Sequence, residues 1–406
     1  MRALFYSHDG QGLGHVRRNL AVADALTRLD PAASVLVVCS TDHVDSLVVP
    51  PRVDILKLPG LRKVTNSSYA ARRLPMTGGE TSALRSALIA SATATFAPQV
   101  LLSDKHPHGA HGELRAALAV LKAAGGRAVL GLRDILDDPA TVRAEWRATG
   151  VLDAVAADYD RVLVYGNRSV LDPAEVYGMT APVRRMVRYC GYVANTPPAH
   201  DGAPLCTPDG RPVVLATAGG GDDGFTVLSA FVEASRGAPW HPVVVSGTGL
   251  DERDQVSLQE RVAELGGTFH RFVRNLPVHF PSVAALVCMG GYNTTTEAVR
   301  ACVPTVVVPR VQPRQEQLIR ARAFAELGLV RTVHPEDVSR GRLGPAVLAA
   351  MGDSRPRIAE QVARSIDVDG AERAAAELLS VSAPGAEAMA YGAAVETPAE
   401  RVDVAV

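Results

Sequence analysis

The sequence predicts an α/β protein of two domains, each built on a parallel β-sheet with helices on both faces. Short runs of Val, Leu and Ile alternate with longer amphipathic stretches along most of the 406 residues. Continuous apolar strands joined by helical crossovers are typical of buried parallel sheets. The alternation stops in a Pro-, Gly- and Asp-rich segment at 195–211 and then starts again. This break predicts two halves joined by a linker.

Composition narrows the functional class. The net charge is −1, so the chain encodes no broad attraction to nucleic acid. Five cysteines without CxxC spacing favour free thiols in a reducing compartment over a disulfide framework. No apolar run is long enough to span a membrane, and a strand begins almost at the N-terminus, leaving no room for a signal peptide. We therefore expect a cytoplasmic protein.

The N-terminal domain is expected over residues 1–194. Its predicted strands are 3–7, 35–39, 53–58, 100–103, 128–132 and 162–165. After the first strand, Val16, Leu20 and Ala23 form a helical apolar stripe, which places Arg17 and Arg18 mostly on other faces. Residues 61–76 are basic and irregular, which favours a solvated loop, with contact to a membrane surface or an anionic acceptor as the alternatives.

The first strand ends in a Gly-rich turn that leads into a helix. This turn and the helix start contain His8, Asp9, Gly12, Gly14 and His15. An imidazole at a helix N-terminus is biased toward its neutral form, so His15 can act as a base. The alternatives are a histidine that only caps the turn, or a dinucleotide site. The second alternative is weakened because the second predicted strand does not end in an acidic residue.

Polar residues also follow two other strands of this domain. The fourth strand leads into Asp104, His106 and His108, and the fifth into Arg133 and Asp134. The carboxyl ends of parallel strands form the ligand-binding edge of such sheets, so these residues are candidates for an acceptor site, with Asp104 a second candidate base. The histidines lack the spacing of metal ligands, so no metal site is expected.

The C-terminal domain is expected over residues 212–380, with a mobile tail at 381–406 and final helices that could pack back onto the first domain. Its predicted strands are 213–217, 243–246, 268–273, 284–288, 305–309 and 330–333. The first of these strands runs into Gly219, Gly220 and Gly221, a loop of the kind that cradles phosphate. Phe272 and Val273 close the third strand, either as core residues or beside a nucleobase.

The central motif of the chain follows the fourth strand of this domain. Gly290 and Gly291 allow a tight turn, and Asn293, Thr294 or Thr295 could cap the next helix. A helix N-terminus after a Gly turn favours phosphate, and Glu297 lies one turn further on, where it could bind a sugar diol. Glu316 and Gln317 begin another helix and suit sugar hydroxyls. The alternative is an ordinary capped helix.

Together these motifs resemble the GT-B glycosyltransferases, closest to glycosyltransferase family 28 and enzymes like the lipid II N-acetylglucosaminyltransferase. The resemblance rests on three strings in family order: Gly-x-Gly-x-Gly-His at 10–15, Gly-Gly-x-x-Thr-x-x-Glu at 290–297 and Pro-x-x-x-x-x-x-Glu-Gln at 309–317. It covers about residues 1–380. It implies two Rossmann-like parallel-sheet domains that face each other across a cleft, and an enzyme that needs no metal or other cofactor.

The resemblance also implies roles for the residues. The 290–295 turn would bind the diphosphate of a nucleotide-sugar, Glu297 the ribose, Phe272 and Val273 the base, and Glu316 and Gln317 the donor sugar. The N-terminal domain would bind the acceptor. The lipid-binding features of the peptidoglycan enzyme are not evident, so we expect a small-molecule acceptor, of the cell envelope or of natural-product type.

We therefore predict an inverting glycosyltransferase that uses a UDP-sugar, with His15 as the base. Two alternatives remain open. The Gly-x-Gly-His-x-x-Arg string at 12–18 also resembles nucleotide-sugar hydrolases, which direct water at the anomeric carbon, and an epimerase of the same fold is related to them. A non-catalytic nucleotide-sugar sensor is the second alternative.

Overall fold

The computed structural model describes residues 1–7, 13–63, 69–195, 210–220 and 223–382. These residues form two compact units. The N-terminal unit contains Met1–Val193 and the described residues from Asp369 onward, and the C-terminal unit contains Ala194–Val368. Residues 196–209 of the predicted linker lie outside the described residues. Residues 383–406 of the predicted tail lie outside them as well.

The N-terminal unit contains a seven-stranded sheet and a separate two-stranded hairpin. Its strands are β1 (Arg2–Tyr6), β2 (Ser34–Cys39), β3 (Val53–Lys57), β4 (Leu61–Lys63), β5 (Tyr69–Ala71), β6 (Val100–Asp104), β7 (Arg127–Arg133), β8 (Arg161–Tyr165) and β9 (Val187–Tyr189). Its first helices are α1 (Gly14–Leu29), α2 (Gly78–Phe96), α3 (Arg115–Ala123), α4 (Pro139–Thr149), α5 (Val151–Asp158), α6 (Pro173–Val176) and α7 (Ala181–Met186).

The large sheet has the order β3-β2-β1-β6-β7-β8-β9, and every pair in it is parallel. The two neighbours of β1 in the sheet are β2 on one side and β6 on the other, so the strand order changes direction at β1. This is the switch point at which open α/β sheets form a ligand-binding crevice, beyond the carboxyl ends of the strands. His15 and Asp104 lie at this point.

Two features of this unit differ from the expectation. The stretch predicted as an irregular loop at 61–76 contains the antiparallel hairpin of β4 and β5. The short strand β9, which was not predicted, extends the sheet beside β8. The strands β4, β5 and β9 are each three residues long, too short for hydrophobic periodicity to reveal them.

The C-terminal unit contains one six-stranded sheet. Its strands are β10 (Val213–Thr217), β11 (His241–Val245), β12 (Thr268–His270), β13 (Ala285–Cys288), β14 (Thr305–Val307) and β15 (Arg331–Thr332). Its helices are α8 (Phe225–Ala234), α9 (Glu252–Glu264), α10 (Tyr292–Arg300), α11 (Glu316–Glu326), α12 (Pro335–Val338), α13 (Leu343–Met351) and α14 (Arg355–Ser365). The strand order is β12-β11-β10-β13-β14-β15, again with all pairs parallel.

The switch point of this second sheet lies between β10 and β13. The loops that follow these two strands carry Gly219 and Gly290, the two predicted phosphate-type turns. The strand predicted at 268–273 ends at His270, so Phe272 and Val273 lie in the loop beyond it. The prediction of two parallel-sheet α/β domains is confirmed, and each of the twelve predicted strands has a counterpart in the structure.

The last helix of the described chain, α15 (Gly370–Ser382), belongs to the N-terminal unit. It packs against α1, and its Leu378 side chain is fully buried. Two ion pairs fix it there: Arg28 Nη2 lies 3.0 Å from Glu372 Oε1, and Arg161 Nη1 lies 2.6 Å from Glu377 Oε2. The C-terminal end of the described chain therefore supports the helix that carries His15.

We expect Leu378→Ala to lower the free energy of unfolding of the N-terminal unit by about 2–5 kcal/mol, because it leaves a cavity at a fully buried position where α15 packs on this unit. The protein contains two tryptophans, and Trp146 lies in this unit. Denaturant unfolding in a Trp240→Phe background, followed by Trp146 fluorescence, measures the change. Leu29→Ala, on the same unit at a side chain that is 51% exposed, is the control and should stay within about 0.5 kcal/mol. Equal losses would contradict the packing role of α15.

Candidate active site

The switch point of the N-terminal unit brings three predicted residues together. His15 is the second residue of α1, Asp104 ends β6, and Arg133 ends β7. Nδ1 of His15 lies 3.1 Å from Oδ2 of Asp104, whose side chain is fully buried. The side chain of His15 is 18% exposed, so part of the ring remains accessible. The sequence separates these residues widely, and the parallel sheet aligns them at one edge.

Arg18 is the residue of this cluster that the sequence analysis misplaced. It was expected mostly on an outward face of α1, but it is only 2% exposed. Its Nη2 atom lies 2.5 Å from Oδ2 of Asp104 and 3.0 Å from Nδ1 of His15. Its guanidinium carbon lies 5.4 Å from the centre of the Tyr165 ring on β8. The signal in the sequence is the spacing of three between His15 and Arg18, which places both side chains on one helix face.

The electrostatic environment of the cluster lowers the pKa of both His15 and Asp104, so the imidazole is neutral and the carboxylate is charged. Burial is the largest influence on His15 and lowers its pKa to about 4, with Arg18 and Arg133 adding to this and Asp104 opposing it. For Asp104, burial alone would raise the pKa, but Arg18 and His15 together hold it below the usual value. A neutral imidazole beside an ionised carboxylate is therefore the resting state at neutral pH. The sequence predicted a neutral His15 from the helix N-terminus, whereas burial is the main cause.

A second buried network supports the loop that follows Asp104. Arg85 of α2 binds Glu113 through two hydrogen bonds of 2.6 Å, from Nε and Nη2. Tyr6 of β1 donates a hydrogen bond of 2.5 Å from its hydroxyl to the same carboxylate. Gly109 has a φ of +69°, and a Cβ there would lie 3.0 Å from the Tyr6 hydroxyl. The buried ion pair of Arg85 and Glu113 therefore stabilises the loop at 105–113, and Gly109 allows this loop to pass close to Tyr6.

The predicted acceptor residues are placed differently from one another. His108 contacts Asp158 of α5, with its Nε2 atom 2.7 Å from Oδ2, so its side chain is engaged in a hydrogen bond within the fold. Asp134 is 1% exposed and His106 is half-buried. His8 and Asp9 lie outside the described residues. Gly12 and Gly14 were predicted as donor-binding residues: Gly12 also lies outside the described residues, and Gly14 begins α1 with no atom within 4 Å of a Cβ added there. Of the four acceptor candidates within the described residues, Arg133 acts on the His15 ring through its positive charge.

In the C-terminal unit, Gly290 and Gly291 form the predicted turn between β13 and α10. Gly290 has a φ of +79°, and Gly291 is the N-cap residue of α10. The prediction that Asn293, Thr294 or Thr295 caps this helix is wrong, because no side chain caps it and these residues lie inside its first turn. The first backbone N–H groups of a helix have no intrahelical acceptor, so the turn presents the partial positive charge that favours an anion.

The hydroxyl groups of the first turn point in different directions. Thr295 is fully buried, and its Oγ1 atom donates a hydrogen bond of 2.9 Å to the carbonyl of Gly291. A Cβ on Gly219 would lie 3.8 Å from Oγ1 of Thr294, so the loop after β10 approaches the start of α10. Gly219 therefore lies beside the first turn of α10, and Gly220 follows it in the same loop. Gly221 lies outside the described residues.

Glu297, the predicted ribose ligand, is 4% exposed. Its Oε1 atom accepts a hydrogen bond of 2.8 Å from Nδ2 of Asn195, the first residue of the predicted linker. Sequence reasoning did not single out Asn195, because 102 positions separate it from Glu297. An amide donor on one carboxylate oxygen compensates part of the cost of burying the charge and fixes the orientation of the group.

The predicted pair Glu316 and Gln317 packs directly against the Gly290 turn. A Cβ on Gly290 would lie 3.6 Å from Cβ of Gln317, and Nη1 of the buried Arg320 donates a 3.1 Å hydrogen bond to the Gly290 carbonyl. Arg310 binds both members of the pair: its Nη2 lies 2.6 Å from Oε1 of Glu316, and its backbone N–H donates to Oε1 of Gln317 at 3.0 Å. The two motifs that the sequence placed in separate helices therefore form one cluster.

The same arginine also reaches the loop after β10. Nη1 of Arg310 lies 3.1 Å from Oδ2 of Asp223, which follows the Gly-rich turn. Phe272 is 39% exposed in the loop after β12, and Val273 is half-buried. These positions leave the Phe272 ring available for contact with a flat ligand, in contrast to the alternative of ordinary core residues. Within the described residues, no group of three or more His, Cys, Asp or Glu side chains is arranged to hold a metal.

Comparison with known proteins finds similar glycosyltransferases, although no family model matches the chain. An NDP-glycosyltransferase, YjiC of Bacillus licheniformis, is 32% identical over 187 residues, which is 45% of this chain and 44% of that protein. The UDP-N-acetylglucosamine–N-acetylmuramyl-(pentapeptide) pyrophosphoryl-undecaprenol N-acetylglucosamine transferase of Nocardia farcinica is 28% identical over 87% of this chain and 93% of its own length. The match to the first of these relatives thus spans less than half of its length.

Solved structures show the same fold. The glycotransferase of kitacinnamycin superposes with a TM-score of 0.63 and 18% identity, over 94% of this chain and 99% of that one. At this identity the likeness establishes the fold alone, and the fold is that of the GT-B glycosyltransferases. The predicted resemblance to GT-B enzymes and to the lipid II enzyme is confirmed. No helix in the described ranges is long and apolar enough to cross a membrane.

We expect Gly290→Ala to destabilise the C-terminal unit by about 2–3 kcal/mol, because it adds a strained positive φ and a Cβ only 2.9 Å from Cγ1 of Val307. Gly266→Ala is the matched control, since Gly266 has a φ of +65° but no atom within 4 Å of the added Cβ. It should cost about 1 kcal/mol from the backbone alone. Trp240 fluorescence during denaturation, in a Trp146→Phe background, measures both. Equal costs would show that the Gly290 turn has room for a side chain.

Proposed function

We propose that the protein transfers a sugar from a nucleoside-diphosphate sugar, a UDP-sugar, to a hydroxyl group of a small-molecule acceptor. The observation that carries this proposal is the cluster in the C-terminal unit. A helix N-terminus after the Gly290 turn, a buried carboxylate at Glu297 and the pair of Glu316 and Gln317 lie together at the switch point of the sheet. Relatives named as NDP- and UDP-sugar transferases support the same class of donor.

In the proposed donor site, each part binds one portion of the nucleotide-sugar. The backbone N–H groups of the first turn of α10 bind the diphosphate, because the helix dipole favours an anion there. Glu297, whose carboxylate is oriented by the hydrogen bond from Asn195, accepts hydrogen bonds from the ribose diol. Phe272 and Val273 contact the base. Glu316 and Gln317 bind the hydroxyls of the donor sugar, with Arg310 holding the orientation of both side chains.

In the proposed acceptor site, His15 is the general base, and Asp104 is its partner. Asp104 is fully buried and contacts Nδ1, so it is placed to orient the ring, whereas Nε2 is the nitrogen left for the acceptor. The low pKa of His15 keeps the imidazole unprotonated at neutral pH. Arg133 contributes positive charge near the same edge and is proposed to contact the acceptor.

The proposed reaction is a single in-line displacement that inverts the anomeric carbon. As the acceptor oxygen forms its bond to that carbon, its proton moves to Nε2 of His15. The bond from the carbon to the diphosphate breaks at the same time, and its electron pair leaves with the diphosphate. The first turn of α10 stabilises the charge that develops on the leaving group, which is the role that a metal ion plays in other transferases. The proposed mechanism is therefore metal-independent.

The function is tested by incubating the protein with a panel of UDP- and dTDP-sugars, with and without a library of phenolic and alicyclic alcohols, in the presence of EDTA. Acceptor-dependent UDP release together with a glycosylated product supports the proposal. Fast release of free sugar without acceptor would instead identify a nucleotide-sugar hydrolase. Tight nucleotide binding without turnover on any acceptor would identify a sensor.

We expect Glu297→Gln to weaken UDP binding by about 10–100-fold, because a hydrogen bond to a charged group is worth roughly 1.5–3 kcal/mol. Isothermal titration calorimetry with UDP measures the affinity. Glu326→Gln, at an exposed position near the end of α11 in the same unit, is the control and should leave the affinity unchanged. If Glu297→Gln binds UDP as tightly as the parent protein, the ribose assignment is wrong.

We expect His15→Ala to lower the acceptor-dependent turnover by about 10²–10⁴-fold, the usual contribution of a general base. UDP affinity should remain, because the proposed donor contacts lie in the C-terminal unit. His43→Ala, at an exposed histidine of the N-terminal unit, controls for loss of a histidine and should keep full turnover. Full turnover in a folded His15→Ala protein would remove His15 from the mechanism.

A further inference from the structure

Polar atoms of Arg18, Asp104 and His15 lie within hydrogen-bond distance of one another. Nη2 of Arg18 lies 2.5 Å from Oδ2 of Asp104 and 3.0 Å from Nδ1 of His15, and the last two atoms lie 3.1 Å apart. We propose that Arg18 is a positioning residue that neutralises the charge of Asp104, so that the imidazole is held by its Nδ1–H group without taking up a second proton. The inference deepens the proposed function, because it rests on His15 as the base.

The geometry allows two arrangements of the neutral ring. Nδ1 can donate its proton to Asp104, which leaves the lone pair on Nε2, or it can accept a hydrogen bond from Arg18, which puts the proton on Nε2. Only the first arrangement leaves a base for the acceptor. We assign the first, because Nη2 of Arg18 lies closer to Oδ2 of Asp104 than to Nδ1 and therefore donates to the carboxylate, and an Nδ1–H group is attracted to the same oxygen.

The charge of Arg18 matters because a carboxylate next to a histidine normally favours the protonated ring. In that state both ring nitrogens carry protons, and His15 could not accept one from a substrate. Arg18 forms the shortest contact to Asp104 and so offsets the attraction that Asp104 exerts on a proton at His15. Among the described residues, Arg133 on β7 also acts on His15, and its charge has an effect of the same sign as that of Arg18. His8 and Asp9 lie outside the described residues.

An aromatic ring also restrains the position of Arg18. Its side chain is 1% exposed and lies over the ring of Tyr165 on β8. A cation held against an aromatic face and a carboxylate in a buried site has little freedom to swing away. Arg18 is therefore held close to His15, where its positive charge acts on the protonation state of the ring.

The test is NMR titration of the His15 ring in the full-length protein between pH 4.5 and 8, with ¹⁵N labelling and assignment by a His15→Gln difference. In the parent protein we expect a neutral ring with the proton on Nδ1 across this range. In Arg18→Met we expect the titration midpoint to move upward by about one pH unit or more, because Asp104 then favours the protonated ring. The acid limb of turnover should move by the same amount. Arg18→Lys keeps the charge and should show a smaller change.

Asp104→Asn distinguishes this role from a purely structural one. It removes the attraction for the proton, so the ring should stay neutral, whereas a general loosening of the site would move both variants in the same direction. An unchanged His15 midpoint in folded Arg18→Met overturns the inference. A proton on Nε2 in the parent protein also overturns it, without any variant. Because the titration needs no turnover, its failure is separate from failure of the proposed function, which the His15→Ala turnover decides.

Discussion

In the two large sheets of this protein, every strand runs in the same direction, and this parallel register is the constraint on which both candidate sites depend. Parallel strands place all their carboxyl ends on one edge, and the order of the strands reverses at β1 in one sheet and at β10 in the other. His15, Asp104 and Arg133 meet at the first reversal. The Gly219 loop, the Gly290 turn and the start of α11 meet at the second.

Charged side chains buried at these edges are each held by a partner in the same unit. Asp104 is paired with Arg18, Glu316 with Arg310, and Glu297 accepts a hydrogen bond from Asn195. A buried charge costs several kcal/mol unless it is paired, so these contacts are conditions for burying the groups as well as features of the sites. They also fix side-chain orientation before any ligand binds, which is the preorganisation that group transfer benefits from.

Much of the fold could be predicted from the sequence, because strand and helix periods depend on neighbouring residues. The twelve predicted strands are present with ends shifted by a few residues, and the turn at Gly290 was expected from two adjacent glycines. The exceptions are local and have physical reasons. The strands β4, β5 and β9 are three residues long. The N-cap residue of α10 is Gly291 itself. Because the backbone turns at Gly290, the helix begins at Tyr292, and the threonines that follow already lie inside it.

The sequence by itself determined the class of fold, the Gly-rich turns, and the residue types from which a nucleotide-sugar site could be built. Tertiary structure decided which of these residues touch. It placed Arg18 inside rather than outside, joined His15 to Asp104 across 89 positions (104 − 15), and brought Asn195 to Glu297. Helical periodicity gives only the direction of a side chain from its own axis. Whether that direction meets solvent or a buried carboxylate depends on which strand lies beside the helix, and strand order is a property of the whole sheet.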